Sequence, residues 1–163
     1  MNNNFKIGNI VLKKYQEEDR NSFIDIFTNE ELCKFMAGGA YDKNSDAEKL
    51  FIFFIDLYSS NINTNIFGIY TNHKLIGHFE ISSNLFTKKD ELEIVFLLIK
   101  EYWGKGLMKD IIEEMNKHFK EKFIARVKLN NNNSIKMLSK IGISNQSITS
   151  FNNEKVFKIT LKK

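Results

Sequence analysis

Trp103-Gly104-Lys105-Gly106 stands between a nearly continuous apolar run, Leu92 to Ile99, and a segment whose apolar residues fall at helical spacing. Glycine at such a turn lets the backbone come close to a ligand, and the first N–H groups of a helix have no partner within it. Successive N–H groups from Gly104 to Met108 at the positive end of a helix suit a pyrophosphate. The helix is read from Leu107, with Met108, Ile111, Ile112, Met115 and Phe119 at offsets 0, 3, 4, 7 and 11, and an end near Lys122. No Gly-Lys-Ser/Thr ending follows, and no third glycine completes a dinucleotide fingerprint, which ranks those two nucleotide folds low. Strand-to-helix turns also need glycine for conformation alone, so the two glycines gain weight only from their surroundings.

A second group, Asn131, Ser134, Leu138, Lys140 and Gly142, stands at offsets 0, 3, 7, 9 and 11. Ser134 to Ile141 reads as a short helix stopped by Gly142, with Ser134 either a first-turn cap or a hydroxyl donor. Glu93 opens the apolar run. It is a general base if burial raises its pKa toward neutrality, and a strand-end glutamate in solvent otherwise. Cys33 is the only cysteine, so no intramolecular disulfide exists, and it reads as a small buried hydrophobe. His73, His78 and His118 lack ligand spacing for a metal and read as packing or solvated residues.

The elements that must hold these residues follow from periodicity. Asn9 to Tyr15 reads as a strand, Glu17 to Phe27 as a helix, and Glu30 to Met36 as a second helical piece. Asn44 or Ser45 caps a helix to about Tyr58 whose core side carries Leu50, Phe51, Phe53, Phe54 and Leu57. Asn65 to Tyr70 and Lys74 to Ser82 flank a hairpin connection at Thr71-Asn72-His73. After the run and its helix come a strand from Phe123 to Leu129 and two last strands, Ile143 to Phe151 and Glu154 to Leu161. This is an α+β pattern with a mixed central sheet of six to seven strands flanked by helices. No long linker or repeat interrupts residues 1–163, so one domain is expected.

With 42% apolar residues and 15 phenylalanines the chain has material for a real core. No apolar run reaches the roughly 20 residues of a membrane span, and the polar start is unlike a signal peptide. A cytoplasmic protein is the expectation. Residues 1–96 carry 10 Lys+Arg against 14 Asp+Glu, while residues 97–163 carry 14 against 6, so the second half favours an anionic ligand. A nucleic-acid partner ranks last, because the aromatic ribonucleoprotein patterns are missing.

Glu101-Tyr102-Trp103-Gly104-Lys105-Gly106-Leu107 resembles the acetyl-CoA loop of the GNAT superfamily, in particular the branch of ribosomal-protein N-terminal and spermidine acetyltransferases. The Asn131/Ser134 group is similar to that branch's second motif, and the order of elements matches over nearly the whole chain. The resemblance implies a GNAT-like fold and acetyl-CoA as co-substrate. It implies cofactor contacts from Leu97, Leu98, Ile99, Trp103, Gly104, Lys105, Gly106, Leu107, Met108, Asn131, Ser134 and Lys140. Glu101 replaces the family's usual Gln or Arg and is expected to face solvent.

Acetyl transfer from a thioester to an amine requires removal of an amine proton, stabilisation of an oxyanion and accommodation of the departing thiolate. By the resemblance, Glu93 serves as base, a backbone N–H near Leu97 or Leu98 holds the oxyanion, and Ser134 faces the CoA sulfur. The family's usual tyrosine acid is missing, since Leu138 occupies its position. Glu80 is the next candidate base. The acceptor class is a primary amine: a peptide N-terminus, a polyamine or an aminated small molecule, attracted by Glu30, Glu31, Asp42, Asp46 and Glu80. A non-catalytic acyl-CoA-binding module is the alternative, and a homodimer stays open.

Overall fold

The computed structural model describes residues 4–36, 38–60, 64–84 and 87–163. Its strands run in the order β1-β2-β3-β4-β5-β6-β8-β7 in one mixed eight-stranded sheet. These are β1 (Phe5–Ile7), β2 (Ile10–Lys13), β3 (Asn65–Thr71), β4 (Lys74–Ser82), β5 (Glu91–Leu98), β6 (Lys122–Lys128), β7 (Ile143–Phe151) and β8 (Glu154–Leu161). The helices are α1 (Arg20–Phe27), α2 (Glu30–Cys33), α3 (Asn44–Ser59), α4 (Leu107–His118) and α5 (Asn132–Ile141). The eighth strand, β1, exceeds the six to seven expected. Three residues are too few to show alternation, and Gly8 at φ +60° turns the chain directly into β2.

Two compact units divide the chain, Met1–Glu80 with Phe96–Trp103, and Ile81–Val95 with Gly104–Lys163. In the first, Phe23, Phe27, Phe51 and Phe54 close around Tyr15, with Phe23 stacked on Phe27 at 4.2 Å and edge-on to Tyr15 at 5.1 Å. Each fully buried ring contributes about 1.5–3 kcal/mol. Cys33 is buried in this cluster, and burial pushes its thiol up to about 11, which suits the hydrophobe reading. Helix α3 begins at Asn44 behind Lys43, so Asn44 and Ser45 lie in its first turn rather than at its cap, and Phe53 is 54% exposed rather than core. The β3–β4 hairpin turns on Asn72 (φ 48°) and His73 (φ 63°), a pair of left-handed residues that matches strand twist.

In the second unit α4 buries Met108, Ile111, Ile112 and Met115 along one face. It stops at His118, short of the expected Lys122. Phe119 has extended backbone and stacks at a tilt on Phe123, 5.6 Å away, while Lys163 caps the Asn116 and Phe119 carbonyls. β6 pairs antiparallel with β8 from Ile124↔Thr160 to Lys128↔Val156, and β8 pairs with β7, whose register shifts at a bulge between Ile143 and Asn145. Among the described residues no helix is long and apolar enough to cross a membrane.

Candidate active site

The loop after β5 gets its shape from two left-handed residues, Gly104 at φ +71° and Gly106 at φ +79°, the latter heading α4. A Cβ built on either would meet no heavy atom within 4 Å. Both glycines are thus required by backbone conformation, and the surface they leave is open to a close approach. Met108 is buried and anchors the first turn. Helix geometry directs the N–H groups of Leu107 and Met108 outward without intrahelical acceptors, at the end where the macrodipole is positive. That combination suits a diphosphate. Glu101 lies exposed in the short 3-10 turn Lys100–Tyr102, as expected from its side chain's charge.

Asn131 caps α5, its Oδ1 accepting the Ser134 N–H at 3.2 Å. Ser134 is therefore a first-turn residue and not the cap. It is half-buried, and its hydroxyl makes no hydrogen bond among the described residues. Lys140 is exposed in the last turn of the same helix.

Glu93, 8% exposed, does not present an open carboxylate. Arg126 Nη1 donates to both of its oxygens, at 2.9 and 2.8 Å, and the Asn84 amide donates to Oε2. The guanidinium in turn lies 4.4 Å over the Phe151 ring. Glu91, on the same face of β5, is paired with Lys158 at 2.7 Å. The partners come into reach because the parallel β5–β6 ladder sets Glu91, Leu92 and Glu93 against Lys122, Phe123 and Ile124. β6 in turn pairs with β8 from Ile124 to Lys128.

In the first unit the end of β5 lies tight on β4. A Cβ on Gly77 would collide with the Leu97 carbonyl, and the Ile99 N–H donates to Ile76 at 2.9 Å. Leu97 and Ile99 thus turn their backbone groups toward β4. Strand alternation turns those of Leu98 to the other edge. There the Leu98 carbonyl accepts the Trp103 indole N–H at 2.6 Å, which ties the start of the glycine loop to the strand. Trp103 is 41% exposed, so its ring is held by this bond rather than by burial.

Two residues of β4, His78 and Glu80, share a face. The imidazole is buried, its Nδ1 2.8 Å from the Tyr15 hydroxyl and its Nε2 3.7 Å from Glu80 Oε2. A histidine and a glutamate two residues apart in a strand is the sequence signal that marks such a pair, and sequence reasoning had left His78 to packing. Of the acids expected to attract a cation, Glu31 is paired with Lys100 and Asp46 with Lys49. Glu80 is a quarter exposed.

The model of the acetyltransferase (GNAT) domain family matches residues 9–144. No curated protein sequence is significantly similar. Among solved structures, a GNAT-family acetyltransferase from Bacillus anthracis superimposes with a TM-score of 0.76 at 16% identity, covering 97% of this chain and 96% of that one. The ribosomal-protein-S5-alanine acetyltransferase of Vibrio fischeri gives 0.73 at 18%, covering 98% and 96%. RimL, a ribosomal L7/L12 α-N-protein acetyltransferase solved with coenzyme A, gives 0.77 at 11%, covering 97% of each.

Proposed function

The chain belongs to the acetyltransferase (GNAT) domain family, and on that premise we propose that it is an enzyme transferring the acetyl group of acetyl-CoA directly to a primary amine. The observation that carries this reading is the loop opening α4, where left-handed Gly104 and Gly106 leave a surface that a side chain would fill. Trp103 to Met108 would hold the diphosphate by backbone N–H groups, with Lys105 adding charge. Asn131, by the family resemblance, would contact the pantetheine arm. We read residues 1–163 as one acyltransferase domain, consistent with β4 and β5 each contributing residues to both compact units.

Three chemical tasks then fall to this chain's residues. Leu98, whose amide faces the edge of β5 away from β4, is the donor for the acetyl oxygen, in preference to Leu97. The Ser134 hydroxyl, with no partner to satisfy, donates to the departing thiolate. The base is Glu80 rather than Glu93. A carboxylate already accepting from Arg126 on both oxygens must break a buried ion pair to take a proton, and such pairs are costly to break. Glu80 is partly exposed, so an amine can reach it.

The test is incubation of the full chain with acetyl-CoA and a panel of peptide N-termini, polyamines and aminated small molecules, with mass-spectrometric detection of one added acetyl group. Transfer to a member of the panel supports the reading. Tight acetyl-CoA binding without transfer to any amine would make the chain a non-catalytic acyl-CoA-binding module instead.

A further inference from the structure

His78 is 2% exposed, yet it is not simply a core residue. Its ring is stacked parallel to those of Tyr15 and Phe54, 6.1 and 5.8 Å away, and Phe27 meets it edge-on at 5.4 Å. Within this aromatic sleeve Nδ1 lies toward Tyr15 and Nε2 toward Glu80. The titratable groups in contact with it are Tyr15, after β2, and Glu80 on its own strand; Tyr58 on α3, Tyr70 on β3 and Asp19 ahead of α1 act in turn on Tyr15.

The direction of the Tyr15–His78 hydrogen bond can be assigned. Burial, with Tyr58, Tyr70, Asp19 and Glu80 adding to it, pushes the Tyr15 phenol well above its ordinary value of 10.0, so the hydroxyl keeps its proton. Its hydrogen-bond acceptor among the described residues is His78 Nδ1. A buried O–H left without an acceptor is costly, so Tyr15 donates. Neutral imidazole accepts on one nitrogen and donates on the other. In the neutral ring the proton therefore sits on Nε2, the nitrogen that faces Glu80.

We propose that His78 is a positioning residue for Glu80: held by Tyr15 as the Nε2–H tautomer, it orients the Glu80 carboxylate and stabilises its ionised form for proton abstraction. This rests on the reading of Glu80 as the base. The two side chains stand 3.7 Å apart, His78 Nε2 to Glu80 Oε2. Asp19 is engaged elsewhere, its Oδ2 accepting from Tyr70 and from the Gln16 N–H.

Long-range 15N–1H correlation spectra of the labelled full chain read the tautomer directly. The expected result is Nε2–H for His78 at neutral pH, giving way to a tautomer mixture in Tyr15→Phe; an Nδ1–H ring in the wild type overturns the proposal. In turnover, His78→Phe fits the aromatic sleeve but lacks the donor. It should lower kcat about ten- to hundredfold, the worth of a hydrogen bond to a charged group, and move the rising pH limb upward at unchanged KM for acetyl-CoA. His78→Gln, which offers an N–H near the position of Nε2, should restore most of both. If Glu80→Gln loses turnover while His78→Phe keeps the wild-type kcat and pH profile, the positioning role is overturned and the base assignment stands. Wild-type turnover in Glu80→Gln overturns the base assignment and the proposal with it.

Discussion

The Trp103 indole donates its N–H to the Leu98 carbonyl at 2.6 Å, so the residue that opens the glycine loop is tied to the strand from which it departs. Trp103→Phe keeps a ring and removes the donor. It should weaken acetyl-CoA binding by about 1 kcal/mol, or roughly fivefold in Kd, through a loosened loop. Titration calorimetry checks this, and a melting temperature close to that of the wild type is expected alongside, because Phe keeps the ring at this partly exposed position.

Gly106 at φ +79° cannot be replaced without backbone strain, even though space is open in front of it. Gly106→Ala should cost about 1–2 kcal/mol of stability. Its effect on the ligand should be larger. Saturating acetyl-CoA raises the wild-type melting temperature by mass action, and this rise should be mostly lost in the variant. An equal rise in both proteins would take the loop out of the binding site.

Ser134 and Asn131 play different parts within one helix turn, Asn131 holding the helix as well as standing at the proposed cofactor path. Asn131→Ala removes the cap on α5 and should cost about 1 kcal/mol of stability. Ser134→Ala removes no hydrogen bond seen in the fold, so its stability should stay within about 0.5 kcal/mol of the wild type. Turnover, measured at saturating acetyl-CoA, should fall in Ser134→Ala by more than binding does.

Acid should unfold the second unit in part through Glu91. Burial pushes its pKa up, but the Lys158 ammonium and the Lys88 N–H outweigh this, and the net shift is downward from 4.5. The unfolded chain then binds the proton more readily than the folded one. The pair's contribution is complete above the ordinary glutamate value and is lost as pH falls through the lowered one. Lys158→Met should therefore be less stable than the wild type at neutral pH, and the two stability curves should converge as the solution is acidified below about pH 4. Urea titrations across that range measure it.

Most of the fold was legible because its signals are local. Alternation placed β3, β4, β7 and β8 to within a residue, and the 3.6-residue spacing of Met108, Ile111, Ile112 and Met115 placed α4. The end of α4 was misjudged because Phe119 continues the helical spacing while packing from outside the helix. The glycine loop could be read since left-handed backbone calls for glycine whatever surrounds it. The environment of Glu93 could not. Its partner Arg126 is 33 residues away and is brought into reach by the register of β5 on β6, which no local pattern encodes. His78 was hidden for a similar reason, its tautomer being set by a tyrosine 63 residues earlier.

The sheet order ends on β7, a nine-residue strand whose outer edge has no strand partner among the described residues. Exposed strands of this length are templates for aggregation unless something blunts them. Here Asn145, Gln146, Ser147, Thr149 and Ser150 are polar, Ile148 is the lone strongly exposed hydrophobe at 60%, and the bulge at Ser144 twists the start of the strand out of line. The consequence is colloidal: at high concentration this border should tolerate crowding by copies of itself without zipping into fibrils, and its weak point is the single isoleucine.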